Sequence, residues 1–228
     1  MRVALLAMIA TLVPVVAHAQ PAAKTTQPPT AMAVLANVEA MYKTPKHLSA
    51  RFEQTVVDPT FGRTTVKTGT LQASKPDKFR FNYAPTGRKQ ERRFLYDGKT
   101  LWVVEPMNLQ ILKHATQSTD LPASFAFFSG AGTLTSQFRV AITTAKPYAI
   151  AGATVLRLTP KQPSAQYSEL YLVVDPSTWQ VTRTTVINSS GLASTFAFTK
   201  LDLTSAIAPS VYQFDPASEP AFKVVEVK

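Results

Sequence analysis

The chain has 228 residues, with 24 Lys/Arg against 14 Asp/Glu, three histidines, no cysteine, and apolar side chains at 45% of positions. That length and apolar share suit one β-rich domain with a substantial core. Without cysteine, disulfides are excluded and stability must come from packing alone.

At the N-terminus Arg2 provides a positive start, Val3 to Val16 an apolar stretch, and Ala17-His18-Ala19 a small-x-small cleavage site. Residues 1–19 therefore read as a secretory signal peptide, too short in its apolar part to span a bilayer stably. The residue after the cut is Gln20 rather than the Cys that a bacterial lipoprotein acylates, so a soluble, unanchored chain is expected in the periplasm. Residues 20–30 are polar and Pro-rich and read as a disordered spacer, leaving 31–228 as a single domain.

Met32 to Tyr42 places Val34, Leu35, Val38, Met41 and Tyr42 at helical spacing, with Thr30 positioned to cap and Lys43-Thr44-Pro45 to stop. From Leu48 the period changes to two. Strand-like runs follow near 48–56, 64–73, 78–83, 91–96, 100–105, 109–113, 137–143, 153–159, 168–174, 179–187 and 194–203. Turn-formers separate them, Asp58-Pro59, Asp97-Gly98 and Asp175-Pro176 among them. About eleven short strands at hairpin spacing predict a mainly β (α+β) fold built on a large antiparallel sheet or barrel. One segment departs from this pattern. Thr119 to Gly130 carries a cap (Asp120), Pro122 and a terminating glycine around Leu121, Phe125, Phe127 and Phe128, which predicts a short helix apolar nearly all round and hence buried.

Catalytic patterns are missing. There is no Gly-x-Ser-x-Gly and no Ser-x-x-Lys, and His47 and His114 stand alone without metal-ligand spacing. Asp97 and Asp175 sit in turn pairs where the side chain caps its own turn. No enzyme activity, cofactor or metal is expected. Aromatics are instead arranged for packing or binding. Phe79, Phe81 and Tyr83 alternate with Lys78, Arg80 and Asn82, and the Asp97-Gly98 hairpin carries bulky apolar groups on both faces, Leu101 and Val103 on one and Trp102 and Val104 on the other. Such aromatics fill the core of a large sheet or line a cavity in it; the sequence leaves both open.

Several of these segments carry a family resemblance. Phe52-Glu53-Gln54 in an early strand, Lys75-Pro76 before the aromatic strand Phe79–Phe81, and Asp97-Gly98-Lys99-Thr100-Leu101-Trp102 with Pro106 four residues on form an ordered set. With Leu158-Thr159-Pro160-Lys161 and Phe214-Asp215-Pro216, they resemble the periplasmic outer-membrane lipoprotein carrier family LolA over residues 32–217. The resemblance implies an incomplete antiparallel β-barrel of about eleven strands, covered by short helices that form a lid over an acyl-chain cavity. It implies a chaperone that takes acylated lipoproteins from an inner-membrane ABC transporter to the outer membrane, to a receptor there if one is present. Mapped onto this chain, the cargo face comprises Phe52, Phe79, Phe81, Phe94, Leu101, Trp102, Phe125, Phe127 and Phe128, with Phe79 and Phe81 near the mouth and partly solvated. Lid closure falls to Leu121 and Lys75. The family typically has Arg before the Pro, and Lys lacks the planar fork of an Arg clasp.

Between Arg63 and Lys113 there are eleven Lys/Arg against four Asp/Glu. That excess fits a solvated sheet face or docking to an acidic partner or phospholipid headgroups; export and the lack of nucleic-acid motifs exclude nucleic acid. No polar cluster in the sequence marks a specific headgroup. A monomeric carrier is the expectation. The alternatives are a receptor or sensor of the same fold, and a structural envelope protein.

Overall fold

The computed structural model describes residues 29–85, 87, 91–115, 127–128, 133–164 and 167–227. The signal peptide and residues 20–28 of the spacer lie outside the described residues, as do Leu121 and Phe125 of the predicted short helix.

Helix α1 spans Ala31–Lys43. Thr30 is its N-cap, accepting from the Ala33 amide at 3.2 Å, and Val34, Leu35, Val38, Glu39 and Tyr42 form its buried stripe. Strands β1 (His47–Asp58), β2 (Arg63–Ser74), β3 (Lys78–Tyr83), β4 (Arg93–Tyr96), β5 (Thr100–Glu105) and β6 (Gln110–Ala115) follow. After the short helix α2 (Thr133–Gln137) come β7 (Phe138–Ile142), β8 (Thr154–Pro160), β9 (Glu169–Val174), β10 (Val181–Ile187), β11 (Ala193–Asp202) and β12 (Lys223–Val227).

All twelve strands form one sheet in the order β12-β6-β5-β4-β3-β2-β1-β11-β10-β9-β8-β7. It is not closed, because β12 and β7 are its two edges. The eleven expected strands are present, and β12, which joins β6 in parallel, is the addition. Elsewhere the pairing is antiparallel, and hairpins supply it. Between β4 and β5 the Asp97 Oδ1 accepts from the amides of Lys99 and Thr100, both at 2.8 Å, while Gly98 takes φ 98°, a left-handed angle glycine adopts without strain.

Cross-strand register sorts the side chains onto two faces, since directly paired residues point the same way. Phe79 pairs Tyr96, which pairs Leu101; Phe81 pairs Phe94, which pairs Val103. This inner face continues through Leu71, Phe52, Phe196 and Leu172, and α1 packs on it. Arg80, Leu95 and Trp102 belong to the outer face, where residues 203–222 lie across β3–β6. Trp102 meets Phe214 at 5.5 Å between centroids, Arg80 donates to the Val211 carbonyl at 3.2 Å, and Arg93 pairs with Glu219 at 2.7 Å. Tyr212 closes that cover, its hydroxyl 2.6 Å from Ser74 Oγ, which is itself 2.7 Å from His47 Nδ1. His47 thus has a structural partner.

Candidate functional site: the roofed inner face of the sheet

The inner face is aromatic along β1, β3, β4 and β11 and aliphatic along β8 and β9. Phe52 lies 4.9 Å from Phe81, 5.4 Å from Tyr83 and 5.4 Å from Phe196, and Phe79 lies 5.6 Å from Tyr96. Phe52 reaches this position because its neighbour in β2 is Gly69. A Cβ there would sit 2.4 Å from the Phe52 ring and 2.3 Å from the Asn82 carbonyl oxygen. Over the face sit α1 and the pair Phe127–Phe128, each 2% exposed. Tyr42 of α1 stands edge-on to both rings, at 4.9 and 6.3 Å, and Phe127 also meets Phe198 at 5.8 Å. The Tyr42 hydroxyl accepts from the Val181 amide at 3.1 Å, and burial pushes its pKa well above the ordinary tyrosine range.

Two charged groups fasten this roof. Lys75, at the β2–β3 turn, donates from Nζ to the carbonyls of Tyr42 and Lys43, where the last turn of α1 leaves oxygens without helical partners. The same ammonium lies 5.2 Å over the Phe128 ring, and its partial burial lowers its pKa. Glu39, on the buried stripe of α1, accepts from the amides of Leu134 and Thr135 at 3.0 Å each, holding the start of α2 against α1. Sequence reasoning missed Glu39. A single carboxylate in an amphipathic helix reads as solvent-facing, and only its place between Val38 and Tyr42 hinted otherwise.

Of the candidate residues, the structure brings Phe52, Phe79, Phe81, Phe94, Leu101, Phe127 and Phe128 to the inner face, and places Lys75 against the roof. Trp102 it does not, because one residue along a strand reverses the side chain, and Trp102 packs outward on Phe214 and under Lys113. Phe79 and Phe81 are 3% and 4% exposed, so both are buried where partial solvation was expected. Unfilled space on the inner face lies at the far end of β1–β5, in a cleft of about 420 Å³. Tyr83 and Phe94 line its base and Met107, 88% exposed, its rim. Its walls carry the ion pairs Lys67–Glu91 at 2.7 Å and Arg92–Glu105 at 2.6 Å, and Tyr83 donates to Gln54 Oε1 at 2.8 Å. The sequence showed no such polar cluster, because its members come from separate segments, joined only by the sheet.

An inner apolar face roofed by α1 and the Phe127–Phe128 pair is a candidate site for apolar groups. The family described as outer membrane lipoprotein carrier protein LolA matches residues 43–215, so the chain belongs to the LolA family. A search of curated proteins finds no match. Among solved structures, an uncharacterized conserved protein from Thermus thermophilus superposes with TM-score 0.53 at 11% identity, over 86% of this chain and 99% of that one. A LolA superfamily protein from Nitrosomonas europaea gives TM-score 0.44 at 12% identity, over 81% and 98%. The MucA/MucB complex of Pseudomonas aeruginosa gives 0.42 at 17%, over 85% of this chain and 62% of its match.

Proposed function

We propose that this chain is a periplasmic carrier that shields the acyl chains of lipoproteins on their way from an inner-membrane ABC transporter to the outer membrane. The observation that carries the reading is the inner aromatic face, roofed by α1, Phe127 and Phe128 and fastened by side-chain hydrogen bonds of Lys75 and Tyr42. Such a roof can part from the sheet. Acyl methylenes entering beneath it gain about 0.8 kcal/mol each on leaving water, so hydrophobic transfer alone gives useful affinity. Nothing in this role needs covalent chemistry. Among the described residues no helix is long and apolar enough to cross a membrane.

The test is capture of the tagged protein from periplasm. Acylated lipoproteins in soluble, stoichiometric complexes are the expected result, and recovery of the chain without lipid or lipoprotein would overturn the reading. Docking to the transporter is expected to be electrostatically steered, given the excess of eleven Lys/Arg over four Asp/Glu between Arg63 and Lys113. Association measured by stopped flow should slow markedly between low salt and physiological ionic strength, where the Debye length is ~8 Å. A rate flat across that range would exclude steering.

A further inference from the structure

The sheet has a notch beside the inner-face cleft, where β2 runs on without a neighbour. Strands β1 and β2 are each 12 residues long, and β3 is 6. β1 covers all of β2, from the Asp58–Arg63 pair to the His47–Ser74 pair, whereas β3 pairs only with Gly69–Ser74. The Ala84 amide adds one bond more, to the Thr68 carbonyl at 2.8 Å, and the ladder then stops at Pro85, which has no N–H to extend it. In an antiparallel strand the main-chain groups of alternate residues point to the same side. Thr68 bonds to Ala84 and so points away from β1; Val66 and Thr64, earlier on the strand by the same alternation, point into the notch. Among the described residues their N–H and C=O groups meet no strand. An edge of this kind readily takes on another extended chain.

The side chains around the notch define the character of that chain. Those of the cleft are satisfied within the protein: Lys67 pairs with Glu91 and lies 5.8 Å over the Tyr83 ring, and Arg92 pairs with Glu105 and lies 5.9 Å over the Phe94 ring. Arg63 is different. It is exposed, its guanidinium lies 5.1 Å over the Phe61 ring, and among the described residues no carboxylate pairs with it. On the outer face Val66 is 57% and Val57 43% exposed, apolar groups without cover. A strand added to β2 sets its side chains directly opposite these residues, which favours apolar ones opposite Thr64 and Val66 and a carboxylate opposite Arg63.

We propose that residues 63–67 of β2 are a docking edge for an extended, acidic segment of a partner protein, which joins the sheet as a strand antiparallel to β2. The cleft of about 420 Å³ beside this edge, between Thr65 and Lys67 on one side and Met107 and Asn108 on the other, has room for it. Main-chain bonds to Thr64 and Val66 supply affinity, and Arg63 supplies the preference for acid. The edge needs no acyl chain, so the proposal is independent of what lies beneath the roof.

The probe is a capped peptide without acyl chains, acetyl-Thr-Val-Thr-Val-Glu-Thr-amide, added at millimolar concentration and followed by NMR. The amides of Thr64 and Val66 are expected to shift downfield and to exchange about tenfold more slowly, with exchange at Thr65, which faces β1, little changed. Methylating the amide nitrogen of either valine of the peptide removes a donor that faces β2 and should weaken binding about tenfold. Methylating the threonine between them, whose N–H faces away, should not. In the protein, Val66→Pro deletes a donor that β1 does not use, and should weaken binding about tenfold with the melting temperature kept. Arg63→Glu should weaken it about threefold, and Lys in place of the peptide's Glu should restore it. The methylated peptides decide the matter if Val66→Pro does not fold. Absence of shifts at Thr64 and Val66, or binding indifferent to which nitrogen is methylated, overturns the docking edge while the carrier reading stands on its own test. Protection of Thr64 and Val66 that rises with protein concentration in the absence of peptide also overturns it, making a second copy of this chain the occupant.

Discussion

Phe79→Glu is expected to unfold the domain rather than merely to block binding. Phe79 is 3% exposed, paired across the sheet with Ala73 and Tyr96, and packed 5.6 Å from the Tyr96 ring within the cluster that includes α1. Truncating a buried Phe costs about 3–5 kcal/mol from lost transfer and the cavity left behind. Adding a carboxylate without a partner costs several more, or forces the group to stay protonated. Against a total stability of about 5–15 kcal/mol, that sum removes most or all of the fold. Circular dichroism of the variant should show the β signal lost or melting far below the wild type. Phe79→Leu, which keeps the position apolar, should retain a cooperative transition. If Phe79→Glu folds with a melting temperature within a few degrees of the wild type, this part of the inner face opens to water in the unliganded protein. Phe79 would then belong to the mouth of the cavity, the place the family resemblance implies for it.

How far the sequence carried can be seen residue by residue. Alternation of Phe79, Phe81 and Tyr83 with Lys78, Arg80 and Asn82 correctly assigned them to one face, because strand period is local and needs no knowledge of partners. Thr30 and the stripe from Val34 to Tyr42 fixed α1 for the same reason, as did Asp97-Gly98 for its hairpin. What failed to show was set by distant pairing. Lys223–Val227 became a strand only by lying parallel to Gln110–Ala115, more than a hundred residues away in sequence. Which face of the hairpin looked inward depended on residues 203–222, which cover the outer one and recruit Trp102 through Phe214. The charged cleft was invisible because Lys67, Glu91, Arg92 and Glu105 are spread over three strand regions and read singly as surface charges. Glu39 was hidden by the opposite effect, a charge buried where its spacing alone predicts an apolar side chain.

Lys75→Met is expected to loosen the roof while leaving the sheet intact. Methionine preserves most of the apolar stem, so the change removes little but the ammonium. Lost with it are the donations to the Tyr42 and Lys43 carbonyls at the end of α1, and the cation over the Phe128 ring. Hydrogen bonds from a charged group contribute about 1.5–3 kcal/mol each at most, less here because Lys75 is only partly buried. A net loss of about 2 kcal/mol is a reasonable expectation, concentrated where α1 meets Phe127 and Phe128. Hydrogen exchange should quicken in the last turn of α1 and at residue 181, whose amide donates to Tyr42, with β3–β5 unchanged. An apolar dye should bind the empty variant more strongly, and acylated cargo should load faster with its escape rate little changed, since the bound state gains nothing from a clasp that must open. Lys75→Arg should restore exchange to wild-type rates, because its fork reaches two carbonyls at once. Unchanged exchange and dye binding in Lys75→Met would show that packing by Tyr42, Phe127 and Phe128 holds the roof without help from the ammonium.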